Sequence, residues 1–454
     1  MKKIFTLSLS ILILSSCNKQ EIDIYEPVNL EEYKSGGDAT VFALGFSVAA
    51  PNLSAENVIK HDAGDIDFEQ SFVTAPSPAF GGLGPVFNHI SCIGCHPADG
   101  RSLFPNDLNT SNGLLFKTSI PGINNNGGPL DTPGFGGQIQ QRANEGKTPE
   151  AQINVTFEDK IITFADGTSV TLKKPIYTLT NTYIPIPDGM MISPRIAPPV
   201  FAMGLLEAIS EDRLLELQDI NDIDNDGISG KLNYVWDYSD NQLKPGRFGW
   251  KADAPSSLQQ VASAYHQDMG ITNPVFNIES SFNQSQFDGL NDETEIDLKT
   301  LEDVTVYVQT LGSPAARNLE DLEVRKGKQL FFDAKCSSCH TPKHITGNFP
   351  EIPEFSNQTI YPYTDLLLHD MGDDLSDNRP IFKATGNEWQ TRPLWGVGLT
   401  KFNNGHTNFL HDGRAKNVEE AILWHGGEAE NAKTFYTKLS LADREAMIAF
   451  INAL

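Results

Sequence analysis

The sequence predicts a mainly α-helical protein of two related units with long loops, the first unit carrying a small β-containing insertion. Three observations carry this. A Cys-x-x-Cys-His pentapeptide occurs twice, helical apolar periodicity flanks the second copy and closes the unit around the first, and a β-branched stretch surrounds one Asp-Gly pair between them.

Met1-Lys2-Lys3 is a short positive stretch, and Ile4 to Leu14 is almost wholly apolar. An apolar run this short is a signal-peptide core rather than a membrane span. Its ending, Leu14-Ser15-Ser16-Cys17, resembles the bacterial lipobox, which implies lipidation of Cys17. Several acyl chains on one residue anchor stably where a single chain does not. The expected segments are a signal peptide over 1–16 and a polar, acidic tether over 17–39. Removing 16 of the 454 residues leaves 438, with no other stretch long and apolar enough to span a bilayer. The expected location is the periplasm or cell surface, with the lipid as the membrane contact.

The formal charge is −25, or −27 once Lys2 and Lys3 leave with the signal, which disfavours nucleic acid and anionic lipid head groups as partners. Apolar residues are 39%, enough for a core, while 37 Gly and 27 Pro indicate long loops. At roughly 100–200 residues per domain, two or three domains are expected.

Apart from Cys17, every cysteine lies in Cys92-Ile-Gly-Cys95-His96 or Cys336-Ser-Ser-Cys339-His340. Cys-x-x-Cys-His is the c-type haem attachment pattern. Two thiols on one helical turn can each add to a vinyl group of the same porphyrin, and the adjacent His becomes the axial ligand. A redox dithiol needs a thioredoxin-like βαβ context, which neither site has. Four thiolates would satisfy zinc but give no reason for a His after each pair. Structural disulfides are the remaining rival in an exported chain.

Val324 to Phe332 reads as a helical approach to Cys336. Leu439 to Leu454 reads as a terminal helix with Ser440 as N-cap and Leu441, Met447, Ile448 and Ile451 as its stripe. A periodic helix over Thr294 to Leu311 closes the unit around the first motif, and Gly312-Ser313-Pro314 ends it. The expected units are therefore cytochrome c-like haem domains over 40–312 and 313–454. Within the first, Ile153–Phe164 and Ser169–Tyr183 flank Asp166-Gly167 as a hairpin.

Gly84-Pro-Val-Phe-Asn, Ser193-Pro-Arg-Ile-Ala-Pro-Pro, Gly204-Leu-Leu-Glu-Ala-Ile209, Asp226-Gly-Ile-Ser-Gly230, Gly246-Arg-Phe-Gly-Trp-Lys-Ala252 and Asp268-Met-Gly-Ile-Thr272 resemble the di-haem oxidoreductase family, often labelled thiol oxidoreductase. The likeness runs from about residue 40 to 454. Phe409-Leu-His-Asp-Gly-Arg-Ala415 with Val418-Glu-Glu-Ala-Ile422 also resembles bacterial di-haem cytochrome c peroxidases and the di-haem enzyme that matures methylamine dehydrogenase. These resemblances imply two haems with divided labour, one relaying electrons and one meeting peroxide.

For the second haem the nearby ligand candidates are His344, His369, Met371, His406, His411 and His425. The peroxidase relatives place a ligand, usually Met, after the His-Asp-Gly helix. His425 occupies that place here, with Met371 as the second choice. For the first haem, no His lies between His96 and His266, so the distal His of the peroxidases has no counterpart. That implies an open iron face unless His89, His266 or a Met reaches it. In the relatives a Gln and a Glu ten positions apart line the peroxide pocket, where cleavage requires an acid/base. Gln140 and Glu150 have that spacing, which makes Glu150 the acid/base and Gln140 its polar partner. Asp222, Asp224 and Asp226 before Gly227 begin like a calcium loop, but Asn233 replaces the closing Glu. The peroxidases hold a calcium between their haem units, which supports calcium here. Trp250 is the candidate stepping point for electrons between the haems.

The expected function is an exported, lipid-anchored di-haem oxidoreductase, peroxidase-like, that reduces hydrogen peroxide or uses it to oxidise another substrate. Its expected partners are an electron-donor protein or quinone-linked cytochrome and a second copy of the chain. The alternative is a non-catalytic electron-transfer lipoprotein cytochrome.

Overall fold

The computed structural model describes residues 28–75, 77, 79–105, 113–289 and 293–454. The signal segment, Cys17 and the start of the tether lie outside the described residues. By Leu30 the chain is already packed. A 3-10 turn over Leu30–Tyr33 buries Glu32, which pairs with Lys328 at 2.7 Å and accepts from Tyr363 Oη at 3.2 Å. Residues 30–39 of the stretch read as tether are therefore part of the folded body. No helix among the described residues is long and apolar enough to cross a membrane.

Helices carry both motifs, but the content is about 30% helix and 20% strand, in small sheets, so the fold is less helical than the sequence implies. Two helix pairs repeat one arrangement. The helix Ala55–Glu69 packs on Leu298–Thr310, and Leu322–Asp333 packs on the terminal helix Leu441–Ala453. Each crossing is made at a glycine. A Cβ on Gly64 would lie 2.0 Å from the Asp303 carbonyl oxygen, and one on Gly327 would lie 1.9 Å from that of Ala446. Four residues beyond each glycine a buried phenylalanine meets the motif histidine. Phe68 stands 6.3 Å from the His96 ring and Phe331 6.3 Å from that of His340.

The predicted helices are present, with boundaries set by caps. Asp297 accepts from the Thr300 N–H and starts its helix there rather than at Thr294. Ser440 caps the terminal helix as expected. Leu441 points to solvent, however, and Phe450, fully buried, takes its place in the stripe. The expected hairpin forms over Gln152–Thr163 and Ser169–Thr180, in unbroken antiparallel register. Its tip docks on the C-terminal helices, with the Ala165 N–H donating to Thr437 O and Arg444 pairing with Asp166 at 3.0 Å.

The hydrophobic cores do not respect residue 312. The core around the first helix pair takes in Phe355, Leu367 and Trp395, while that around the second takes in Phe116, Ile153, Ile196 and Trp250. Gly327→Ala is expected to cost about 1–3 kcal/mol through overpacking at the crossing. Gly347→Ala, where the nearest atom is 3.4 Å away, is the control with little change. Denaturant unfolding of the two variants measures the difference.

Candidate haem sites

Cys92–Cys95 forms one helical turn, and Cys336–Ser338 forms a 3-10 turn. The four thiols are not joined as disulfides. Burial pushes Cys92 and Cys336 up to about 12, and Cys95 and Cys339 also upward. Reactive dithiols depend on a lowered thiol pKa, so a thiol–disulfide enzyme is disfavoured here.

The motif histidines are set the same way. His96 Nδ1 lies 2.7 Å from the Pro198 carbonyl oxygen, and His340 Nδ1 lies 3.0 Å from that of Tyr363. A carbonyl only accepts, so each Nδ1 carries the hydrogen and each Nε2 presents a lone pair. Burial lowers both histidines to about 4, which keeps them neutral and competent as ligands. This arrangement, with two thiols on each adjoining turn, fits a haem at each motif. The Tyr363 carbonyl is delivered by a left-handed residue, φ +54°.

The histidines proposed as sixth ligands separate clearly. His425 repeats the motif setting. Its Nδ1–H donates to Ala421 O at 2.7 Å, its Nε2 has no partner among the described residues, and it is near enough to His340 for its charge to depress that ring. His369 is held at both nitrogens by carboxylates, Asp365 and Glu428, each at 2.8 Å. Asp365 and the Cys339 thiol raise it well above the ordinary range despite burial, and with both nitrogens on carboxylates it has no lone pair to offer iron. His406 uses both nitrogens, on Arg101 O and the Asn408 N–H. His344 Nε2 donates to Thr364 O at 2.6 Å, and His411 stacks on Trp389 at 3.8 Å. Met371 packs beside Gly426, its carbonyl 3.0 Å from where a Cβ there would stand.

Near the first motif the picture differs. His266 donates Nε2–H to Ile278 O at 2.7 Å and accepts from Gln267 at its Nδ1, so it has no lone pair to offer. His89 lies flat against the attachment turn, where a Cβ on Gly94 would strike its ring, and its Nδ1 takes the Ser91 N–H at 3.4 Å. His89 is near enough to His96 for its charge to depress that ring, but with Nδ1 accepting, its hydrogen sits on Nε2, the reverse of His425.

Gln140 and Glu150 meet, as their spacing implies. Glu150 Oε2 accepts from the Gln140 N–H at 2.7 Å, and burial holds the Glu150 carboxyl well above the usual range. Glu150 is 0% exposed, and the Gln140 side chain is committed to Asn88 and to the Gln267 carbonyl. The carboxylate nearer the first motif is Asp268, whose charge is felt at both Cys92 and Cys95 and which accepts from Gln138 at 2.8 Å. Burial raises it too, against the pull of Lys117. Asp268 stands in one of the motifs that carry the family resemblance, but its depth has no signature in the sequence.

The acidic loop gathers Asp219, Asp222 and Asp224, with ligand oxygens within 4.8 Å of one another. Asp226 is not in that group: its carboxylate accepts from the Ile228 N–H, and left-handed turns at Asp222 and Asn225 redirect the chain ahead of it. Trp250 is buried between the halves. Its Nε1–H donates to Ile196 O at 2.8 Å, and its carbonyl accepts from the Gln390 N–H.

Two attachment turns, each with a neutral imidazole presenting Nε2, define a di-haem redox protein. The chain belongs to the family described as "Di-haem oxidoreductase, putative peroxidase", which matches residues 29–454. Similar solved structures include hydrazine synthase of Kuenenia stuttgartiensis, at 12% identity over 100% of both chains with a TM-score of 0.36. Another is a MauG-like protein associated with microbial copper homeostasis, at 14% identity over 54% of this chain and 89% of that one, TM-score 0.28. No curated protein matches.

With haem loaded, His425→Met is expected to raise the midpoint potential of one haem by on the order of 0.1 V. That is part of the roughly 0.8 V range that axial ligands command. The other haem should not move. Spectroelectrochemistry reads both couples.

Proposed function

We propose that the protein is a peroxidase-like oxidoreductase with two covalently bound c-type haems, the first catalytic and the second an electron relay. The observation that carries this is the asymmetry of the imidazoles: His425 beside His340 presents an Nε2 lone pair, whereas His89 beside His96 accepts at Nδ1 and carries its hydrogen on Nε2. An iron with both axial sites filled suits electron transfer, and one with an open site suits peroxide.

When bound, the haems supply one-electron redox chemistry and an iron to which peroxide can bind. The protein's residues supply the rest. Reducing hydrogen peroxide to two waters consumes two electrons and two protons. Asp268, whose burial favours the protonated carboxyl, would supply a proton beside the first attachment turn. Glu150 stands one layer behind, joined to it through Gln140 and the Gln267 carbonyl. Burial raises both carboxyls above the usual carboxylate range, which favours their holding a proton. Trp250 connects the two halves. The electrons come from a donor protein or quinone-linked cytochrome, the chain is held to a membrane through Cys17, and a second copy completes a dimer. Calcium at Asp219, Asp222 and Asp224 belongs to the same reading, and Asp222→Asn should abolish its uptake in calorimetry.

The test is the electron paramagnetic resonance spectrum of the oxidised, haem-loaded protein before and after peroxide. A high-spin signal consumed by peroxide beside an unchanged low-spin one is expected. Two low-spin signals indifferent to peroxide, also in the half-reduced protein, would leave an anchored electron carrier instead. Asp268→Asn should slow the stopped-flow reaction with peroxide about 10²–10⁴-fold, the usual weight of a general acid–base. Glu150→Gln should slow it less.

A further inference from the structure

Several buried cations in this protein are neutralised by ion pairs. Lys251 and Arg195 share Asp377, and Arg414 is clasped by Asp412. Arg101 and Arg392 are not, and unlike Arg379, which also lacks an ion pair among the described residues, they lie together over one ring. Neither makes an ion pair among the described residues. Arg101 is 8% exposed, its Nη1 reaches only the Leu410 carbonyl at 3.4 Å, and its Nε has no partner. Arg392 Nη1 donates to Gly249 O and Gln390 Oε1, both at 3.2 Å. The two guanidiniums lie over the same indole, 5.5 and 5.3 Å from the Trp250 ring centroid, and line one cleft with Pro199, Phe201 and Trp395. Burial pulls Arg101 down to about 9 and Arg392 to about 10. The Arg392 charge pulls Arg101 down further, and Asp253 acts at a distance to raise Arg392. Attraction to an aromatic face is too weak to offset two desolvated like charges.

Their position says what anion completes them. Arg101 stands five residues after His96, and Pro199 in the cleft wall follows Pro198, which holds the His96 ring. Arg392 stands two residues before Leu394, whose N–H donates to Pro362 O, and the next residue, Tyr363, holds His340. The cationic pair thus lies between the two imidazole cradles, and a planar guanidinium suits a carboxylate. We infer that Arg101 and Arg392 form a carboxylate clamp over Trp250 that takes the propionate groups of bound haem. The clamp rests on the di-haem reading and adds to it the contact that seats a haem edge against Trp250.

The experiment uses the haem-loaded protein. A pyridine haemochrome spectrum first establishes two haems per chain, and its failure would count against the di-haem reading alone. Potentials are then measured against pH in Arg101→Gln, Arg392→Gln and the charge-keeping Arg392→Lys. Arg444→Gln serves as a buried control paired elsewhere, with Asp166. With the clamp intact, propionates stay ionised and the potentials are flat near neutral pH. In each Gln variant the ferrous-to-ferric ratio of one haem at fixed potential should fall about tenfold, ~59 mV for a one-electron couple. That couple should also become pH-dependent, because a propionate without its guanidinium takes up a proton as the iron is reduced. Arg392→Lys and Arg444→Gln should stay flat. Two haems with unmoved potentials in both Gln variants would overturn the clamp. So would a lowered but pH-independent potential, which marks a bystander charge. A response of the wild-type spectrum to added acetate that Arg392→Gln abolishes would assign the site to an outside carboxylate and equally overturn it.

Discussion

The structure turns on one hydrogen bond made twice, from the Nδ1–H of a motif histidine to a backbone carbonyl. It fixes the tautomer, aims the ring and leaves Nε2 as the donor atom, all before any iron arrives. The carbonyls must come from chain that is not using them in a helix or sheet. Pro198 lies in an Ala-Pro-Pro run, and Tyr363 follows Pro362 in a left-handed conformation. Much of the loop-rich composition follows from this demand. The loops are tied down by their own bonds, such as Ala197 N–H to Gly113 O and Leu394 N–H to Pro362 O, so they place a carbonyl as firmly as an element would.

The second constraint is close approach. Gly64 and Gly327 let backbone meet backbone at two helix crossings, and the phenylalanine one turn on from each reaches its motif histidine. Full burial of such a ring contributes roughly 1.5–3 kcal/mol, so the contact that positions the ligand also stabilises the crossing. The same Gly-x-x-x-Phe device serves both motifs, although 23 residues separate Phe68 from Cys92 and only four separate Phe331 from Cys336. The longer interval loops out through Val86–Phe87, which pairs with Arg142–Ala143.

What the sequence made legible was local. The pentapeptides, the Asp-Gly hairpin, the capped terminal helix and His425 after its helix each depend on residues a few positions apart. The helix Ala55–Glu69 escaped because its buried face is Asn57, His61, Gly64 and Phe68: three of those four are not apolar, so no hydrophobic stripe marks it. Residues 30–39 read as tether because they are acidic, yet Glu32 is buried by a lysine almost three hundred positions away. Gln140 and Glu150 are in contact, but nothing in their spacing marks Asp268 as the carboxylate nearer the first motif. Backbone carbonyls as ligand holders leave no mark in sequence at all.

Trp250 joins the stretches of chain that hold the two motif histidines. From His96 the bonded path runs through Pro198 back to Ile196, whose carbonyl accepts from the indole Nε1–H. From the carbonyl of Trp250 it continues through the Gln390 N–H and on to Leu394, Pro362 and Tyr363, ending at His340. One residue therefore touches one cradle with its side chain and the other with its backbone. The core around the second helix pair takes in Trp250, the junction itself. The chain cannot be cut into independent haem units without losing that junction, and this is why its packing ignores the boundary that its repeated motif implies.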